Sequence, residues 1–497
     1  MFSELSISSE DWERTPQAVR TVVLSLQHQL RLFQIRHIGY ERQIAALNEK
    51  VTQIDDLKAE LIELRERVNQ NSRNSSKPPS SDPPHQKLPP PDAQSGRKQG
   101  AQLGHHGSGR KLKEQEEVDT VIELRPVSCR ACGHALIGDD LHPHRHQVAE
   151  VPCARAEITE YRQHTLRCPA CGTANRAARP TRIAQGSFGA RVQAIIGYLT
   201  GRLHVSHRDA AEAMRVLHGL EVSVGSVAAI QQQVSEALAE PVRAARHFVV
   251  RQQSQHVDET GWRESGQRKW LWVNATRDVT VFHLLGGRST KESQRVISSS
   301  TKNIITTDRY GAYNWLSATR RQICWAHLAR DFQAMVERGG ESAKTGQALL
   351  EYSQHLFTLW HRVRDATLSR AQFQVQMKPI RLHSKELLEA GSRSAQVKTR
   401  RACQNILKVE KSLWTFARVE GVEPTNNAAE RALRRAVLWR RKSFGTQSEA
   451  GSRFVERILS VVTTLRQQGR DVLDYLTTAC ASLTHNDAST YLLPDTS

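Results

Sequence analysis

Four of the eight cysteines in this 497-residue chain fall in two pairs, Cys129-x2-Cys132 and Cys168-x2-Cys171. A Cys-x2-Cys knuckle turns its backbone amides toward thiolates, and two knuckles supply the four soft ligands of tetrahedral zinc. A glycine follows each pair, Gly133 and Gly172, which permits the turn such knuckles need. One structural zinc ion is therefore expected. His142, His144 and His146 lie between the pairs and read as a solvated basic loop, able to substitute as ligands. Cys153 has no partner and reads as a core residue. Cysteine usage this sparse excludes a disulfide scaffold.

A second set of residues suits hard cations. Asp258 follows the strand-like QHV, Asp308 follows NIITT, and Glu430 sits one turn into a helix that begins within TNN. Two magnesium ions, about 3.5–4 Å apart, need oxygen ligands from several elements, and such a pair can activate an attacking oxygen and stabilise a leaving one. The chain has 51 acidic residues, and Glu259 and Asp278 lie close by, so residue type alone does not choose among them. Cys324 and His327, in CWAH, form a Cys-x2-His pair between the second and third acids, read as auxiliary or simply structural. Asn426 and Asn427 are read as caps of the Glu430 helix. Arg431, Arg434, Arg435 and Arg441 recur at helical spacing within a run that includes Arg440 and Lys442. That spacing fits a track for DNA phosphates or a solvated helix face. Trp262, Trp270, Trp272 and Trp325 read as core.

These residues need elements to hold them. Residues 1–70 carry a heptad with d positions at Leu26, Phe33, Tyr40, Leu47, Ile54, Leu61 and Val68 and a positions that weaken at Lys58 and Arg65. Such a seam predicts a coiled coil through which two copies pair. Residues 71–118 are rich in Ser, Pro, Gly and basic residues, a flexible linker that cannot offset its ordering entropy by burial. Residues 119–180 form the zinc module, with β-like stretches VDTVIEL and AEITEYRQHTLRC. In 181–250, two apolar-periodic helices, Ser206–Leu217 and Ser226–Leu238, suggest a helix-turn-helix, with Ser226 capping the second. From 251 to 335 strands alternate with helices: SQHVDE, KWLWVNAT, VTVFHLL, then helix KESQRVIS, then NIITTD and RQIC before helix AHLARDFQAMVE. Residues 336–420 read as a helical insertion. Residues 421–497 return to the core with helices around 428–441, 449–467 and 471–483.

The stretches NSSKPPSSD (74–82), HVDETGW (256–262), TTDRYGAYN (306–314), QICWAHLARDF (322–332), EPTNNAAERALRRAV (423–437) and FGTQSEAGSRFVERI (444–458) resemble those of insertion-sequence family 66 transposases, in the same order over nearly the entire chain. The resemblance implies an acid-triad transposase with a ribonuclease-H-like α/β catalytic core. By position it implies that Asp258 is the first acid, Asp308 the second, in a stretch that includes Tyr310 and Tyr313, and Glu430 the third. Two Mg2+ ions, replaceable by Mn2+, would bind there. Two small accessory proteins of the same element are implied as partners.

Lys plus Arg number 70 against 51 acids, a net +19. That surplus favours a polyanionic partner, because neutralising phosphates releases counterions. No segment approaches a membrane span, and the amino terminus has no signal-like pattern, so a cytoplasmic, nucleoid-associated protein is expected. The expectation is a DNA transposase that binds element ends, cleaves them and transfers them to target DNA. A dimeric zinc-containing DNA-binding regulator and a catalytically dead relic are the alternatives. No nucleophile sits in the Arg/His constellation that a tyrosine or serine recombinase requires.

Overall fold

A computed structural model describes residues 8–71, 73–75, 111–180, 183, 186–299, 302–485 and 490–494. Most of the expected linker, with most of the NSSKPPSSD stretch, lies outside the described residues. The chain divides into two compact units.

The first unit comprises Met1–Pro83 and Arg330–Gln347. Its α1, Ser9–Arg14, is capped by the Ser8 side chain, which accepts from the Asp11 amide. Pro16 then precedes α2, Gln17–Val68, a single helix of 52 residues, placed where its missing N–H costs nothing. Every d residue of the heptad, from Leu26 to Val68, is exposed on α2.

The second unit, Pro84–Ala329 with Ala348–Ser497, carries the sheet. Its first segment holds a short antiparallel hairpin, β1 (Thr165–Arg167) and β2 (Ala174–Arg176). The expected strands in VDTVIEL and AEITEY do not form. Val121, Ile122, Leu124 and Ile158 are all exposed, so no core rewards extended pairing there. Four helices follow: α3 (Ala190–Arg202), α4 (His207–His218), α5 (Val224–Ala237) and α6 (Ala239–Val249). Ser206 caps α4 as its type and place demand. The α5 helix starts earlier than expected: Ser223 is its cap, and Ser226 is the residue whose amide that cap receives. Both serines fit a cap by type, and the apolar run alone did not separate them.

Five strands then build one sheet: β3 (Ser254–Glu264), β4 (Gln267–Ala275), β5 (Thr280–Leu285), and, after α7 (Thr290–Ile297), β6 (Ile304–Thr307) and β7 (Arg321–Ile323). The spatial order is β5-β4-β3-β6-β7. The first three strands are antiparallel, and β6 and β7 run parallel to the central β3. Between β7 and the end of the chain lie α8 (Trp325–Glu337), α9 (Gly340–Arg364), α10 (Arg370–Gly391), α11 (Val397–Leu407), α12 (Glu410–Leu413), α13 (Thr415–Arg418), α14 (Asn427–Ser443), α15 (Glu449–Gln467) and α16 (Val472–His485).

Strand alternation gives the sheet two different apolar faces. One, with Trp262, Leu271, Val273 and Phe282, packs against Phe454, Ile458 and Leu465 of α15 and Ala432, Ala436 and Trp439 of α14. The other gathers Val257, Trp272 and Ile305 with Val296 and Ile297 of α7 and Tyr313. The outer strand β5 is closed by side chains. Glu456, Ser460 and Thr464, spaced by four along α15, accept the amides of Leu284, Phe282 and Thr280 at 2.6, 2.9 and 3.1 Å. Helical period four meets strand period two, and an edge that would otherwise offer free amides is capped. Of the tryptophans expected in the core, Trp262, Trp272 and Trp325 are buried, while Trp270 is only half-buried.

Candidate active site

Register brings the first two acids together. In the parallel pairing of β3 with β6, His256 lies opposite Thr306. Continued two residues, the same register puts Asp258 opposite Asp308, which directly follows β6. Asp258 does not end its strand, as the sequence suggested: β3 runs on to Glu264 as a hairpin with β4, because the Trp262 side chain is buried against the helical layer. Asp258 shares the sheet face of Trp262, the side that α14 covers.

The third acid arrives on α14, in its first turn. Asn426 anchors that turn. Its side-chain amide donates to the carbonyl of Val257, next to Asp258, at 2.8 Å. Its backbone N–H donates to the Cys324 thiol at 3.1 Å. Asn426 therefore occupies the cap position without capping through its side chain, contrary to the role expected for it. The amide is spent across the site, on the strand that carries Asp258. Cys324 completes the link, its own N–H donating to the carbonyl of Thr307, beside Asp308, at 2.9 Å. A backbone bond from Trp325 to Pro424 adds a further tie at 2.9 Å. The three acids thus hang from one hydrogen-bonded knot.

Enclosure of its carboxyl pushes Asp258 well above the ordinary carboxylate range, and the nearby charges of Glu259, Asp308 and Glu430 push the same way. The Asp258 carboxyl is within electrostatic reach of both Asp308 and Glu430, and their hard oxygens are of the type that magnesium takes; among the described residues the three acids do not bring their oxygens within 4.8 Å of one another. His256, beside them, is pushed down to about 4 by burial and stands neutral at physiological pH.

Several residues of the site were not singled out from the sequence. Glu259 is buried and receives hydrogen bonds from Arg288 and from the Tyr313 hydroxyl. Burial, then Asp308, raises its carboxyl, and Arg288 and Tyr313 oppose that. The Arg288 guanidinium stacks 3.7 Å from the Tyr310 ring centre and 4.9 Å from that of Trp270. Arg321, buried in β7, donates to the Asp308 carbonyl at 2.9 Å, to Thr307 Oγ1 at 3.1 Å and to the Tyr313 carbonyl at 3.3 Å. The Tyr310 amide donates to an Asp308 carboxylate oxygen at 2.9 Å. The one signal for Arg321 in the sequence was a cation inside a short strand, where a cation is costly unless it is fully bonded.

Cys324 is buried and its thiol is pushed up to about 12 by that burial. His327 lies one turn on, its Nδ1 3.5 Å from a Glu430 carboxylate oxygen. Arg431, Arg434, Arg435 and Arg441 are exposed on α14. Arg440 of the same run is not: it donates to Thr260 Oγ1 at 3.0 Å and to the Gly261 carbonyl, fixing α14 to β3.

The two knuckles share one local geometry. Gly133 donates to the Cys129 carbonyl and Gly172 to that of Cys168, both at 2.8 Å, with positive φ of 75° and 71° that glycine adopts without strain. Amides of Ala131 and Cys132 lower the Cys129 thiol, and the Thr173 hydroxyl and amide lower Cys171. Both shifts favour the thiolate form, of Cys129 and of Cys171. The structure does not gather all four: among the described residues, no third Cys, His, Asp or Glu ligand atom joins either pair within 4.8 Å, and His142, His144 and His146 join neither.

No helix among the described residues is long and apolar enough to cross a membrane. Residues 33–111 match the model of a family of unknown function, DUF6444. An uncharacterized protein, y4qI, of Sinorhizobium fredii (strain NBRC 101917 / NGR234) is 26% identical over 239 residues, 42% of this chain and 42% of the relative; the chain spans less than half the length of that relative. Residues 185–453, from α3 through the start of α15, match the model of the transposase IS66 family. That match takes in more than half of the chain and all three acids, and the chain belongs to this transposase family.

Proposed function

We propose that the chain is the catalytic transposase of an insertion sequence, cutting and joining DNA through Asp258, Asp308 and Glu430. The observation that carries this is the convergence of the acids: a parallel register sets Asp258 beside Asp308, and Glu430 acts on the Asp258 carboxyl from α14. The mixed sheet, three antiparallel strands followed by two parallel ones, supports a ribonuclease-H-like core.

Two magnesium ions, or manganese in their place, would supply activation of the attacking oxygen and stabilisation of the leaving one. The chain's part is to hold and position. Asp258 and Asp308 would act from adjacent parallel strands, and Glu430 from α14, within electrostatic reach of Asp258. Asn426 and Arg321 fix the backbone on either side, which limits the motion that costs rate when reacting groups are misplaced. Water would attack the phosphodiester at the element end and break its P–O3′ bond, leaving a 3′-OH on the element and a 5′-phosphate on the flanking strand; that hydroxyl would then attack a target phosphorus and displace the target strand's own 3′-OH. No covalent enzyme intermediate is required. Arg431, Arg434, Arg435 and Arg441, exposed beside Glu430, would hold backbone phosphates. The knuckles would close on one zinc ion, and α4 with α5 would contribute to holding the ends. The exposed heptad of α2 would pair two copies, so that two ends are cut together, and the small accessory proteins of the element would join that assembly.

The test is Asp308→Asn, which keeps the shape and removes a charge. Mg2+- or Mn2+-dependent cleavage of element-end DNA is expected to vanish while end binding, measured by gel shift, stays within about twofold, a change worth under 1 kcal/mol. Cleavage at the parent rate would remove Asp308 from the chemistry.

A further inference from the structure

We propose that Cys324, His327 and Glu430 form a binding site for a borderline transition metal, zinc foremost, which shares Glu430 with the acid triad but differs from it in chemistry. The Cys324 sulfur, a ring nitrogen of His327 and a carboxylate oxygen of Glu430 all lie within 4.8 Å of one another, the one such grouping of three among the described residues. Tetrahedral zinc, with Zn–S about 2.3 Å and Zn–N about 2.0 Å, sets its ligand atoms roughly 3.5 Å apart. One pair here, His327 Nδ1 and Glu430 Oε1, is already at 3.5 Å.

The frame exists without a metal. Cys324 is fixed by the hydrogen bond that its N–H donates to the Thr307 carbonyl. His327 stands in the first turn of α8, which Cys324 immediately precedes, and Glu430 comes from the separately anchored α14. The Asn426 N–H directed at the Cys324 sulfur, at 3.1 Å, is the kind of outer contact that orients a thiolate ligand. A sulfur and an imidazole select zinc or cobalt over magnesium, which takes oxygen ligands. Three protein ligands leave a fourth position for water or a DNA oxygen. On binding, zinc displaces the thiol proton to solvent, and nothing is oxidised or reduced. An ion held there engages Glu430 and withdraws it from the magnesium pair, so zinc would restrain cleavage. That consequence rests on the proposed catalytic role of Glu430; the binding itself does not.

The test uses the full chain, equilibrated with zinc, freed of excess and analysed for metal per chain. The parent is expected to hold one more zinc than either Cys324→Ser or His327→Asn, whatever the knuckles contribute to all three. With cobalt as probe, the parent-minus-Cys324→Ser difference spectrum is expected to show a thiolate-to-cobalt band. His327→Asn, at a partly exposed position, serves if Cys324→Ser fails to fold. Equal metal content in the parent and in the folded variants, with no difference band, would overturn the site. Asp308→Asn lies outside the ligand set and is expected to keep the parent's zinc content, so a failure to cleave DNA and a failure to bind zinc are read separately.

Discussion

Burial first, and then three other carboxylates, push the Asp258 carboxyl well above its ordinary range, with the Glu259 amide, at 2.8 Å, in hydrogen-bonded opposition. An acid whose folded pKa is raised costs stability once pH exceeds its unfolded value, so at neutral pH this carboxylate works against the metal-free fold. Asp258→Asn is therefore expected to raise the melting temperature of metal-free protein at pH 7 by a few degrees, on the order of 1 kcal/mol. Magnesium is expected to raise the melting temperature of the parent, by ligand linkage, and to leave that of Asp258→Asn nearly unchanged. Differential scanning calorimetry with and without Mg2+ checks both; a variant less stable than the metal-free parent would contradict them. The acids themselves were legible in the sequence only through the motifs around them, since Asp and Glu abound in the chain. Arg288 carried no signal, Glu259 only its place beside Asp258 and Arg321 only its place in a short strand: what they do comes from burial and from partners 8 to 54 residues away, which no local pattern encodes.

Among elements, the strands of the sheet could be read from their apolar and β-branched runs, and α7, α14 and α15 from their periodicity. Two things could not. The length of β3 past Asp258 depends on its hairpin partner β4 and on Trp262 finding a core. The use of Asn426 depends on what lies across the site, because local spacing favours a cap and only the folded chain supplies the Val257 carbonyl. The same knot sets the position of Glu430. Asn426→Ala leaves that carbonyl without its side-chain donor in a position with no solvent access, a loss of about 1–3 kcal/mol. It also frees the start of α14, and a shift of about 1 Å in Glu430 is enough for a rate loss on the order of a hundredfold. Thermal denaturation and cleavage kinetics of Asn426→Ala measure the two losses. Reduced stability with an unaltered cleavage rate would show that Asn426 does not set the position of Glu430.

At the scale of the whole molecule, the heptad of α2 is the feature that the sequence displays most openly, and its exposed d residues have no partner within a single chain's described residues that would bury them. Self-pairing would account for so long an apolar seam. A chain lacking residues 1–70 is expected to sediment as a monomer where the parent sediments as a dimer or larger; equal association states would discredit the helix as the dimer contact. The two Cys-x2-Cys knuckles were legible in the sequence because the turn that shapes each is local; the expected gathering of all four cysteines is not seen among the described residues.

Asp258, Asp308 and Glu430 are proposed to act as one unit, and the decisive measurement is the rate of Mg2+-dependent 3′-OH release from an element-end duplex, for each single Ala variant and for the triple. Residues that act as a unit are far from additive. Each single substitution is expected to cost about as much as all three together, by roughly a thousandfold or more. A single variant that retains the parent rate, or three losses that add up to the triple, would contradict a shared site.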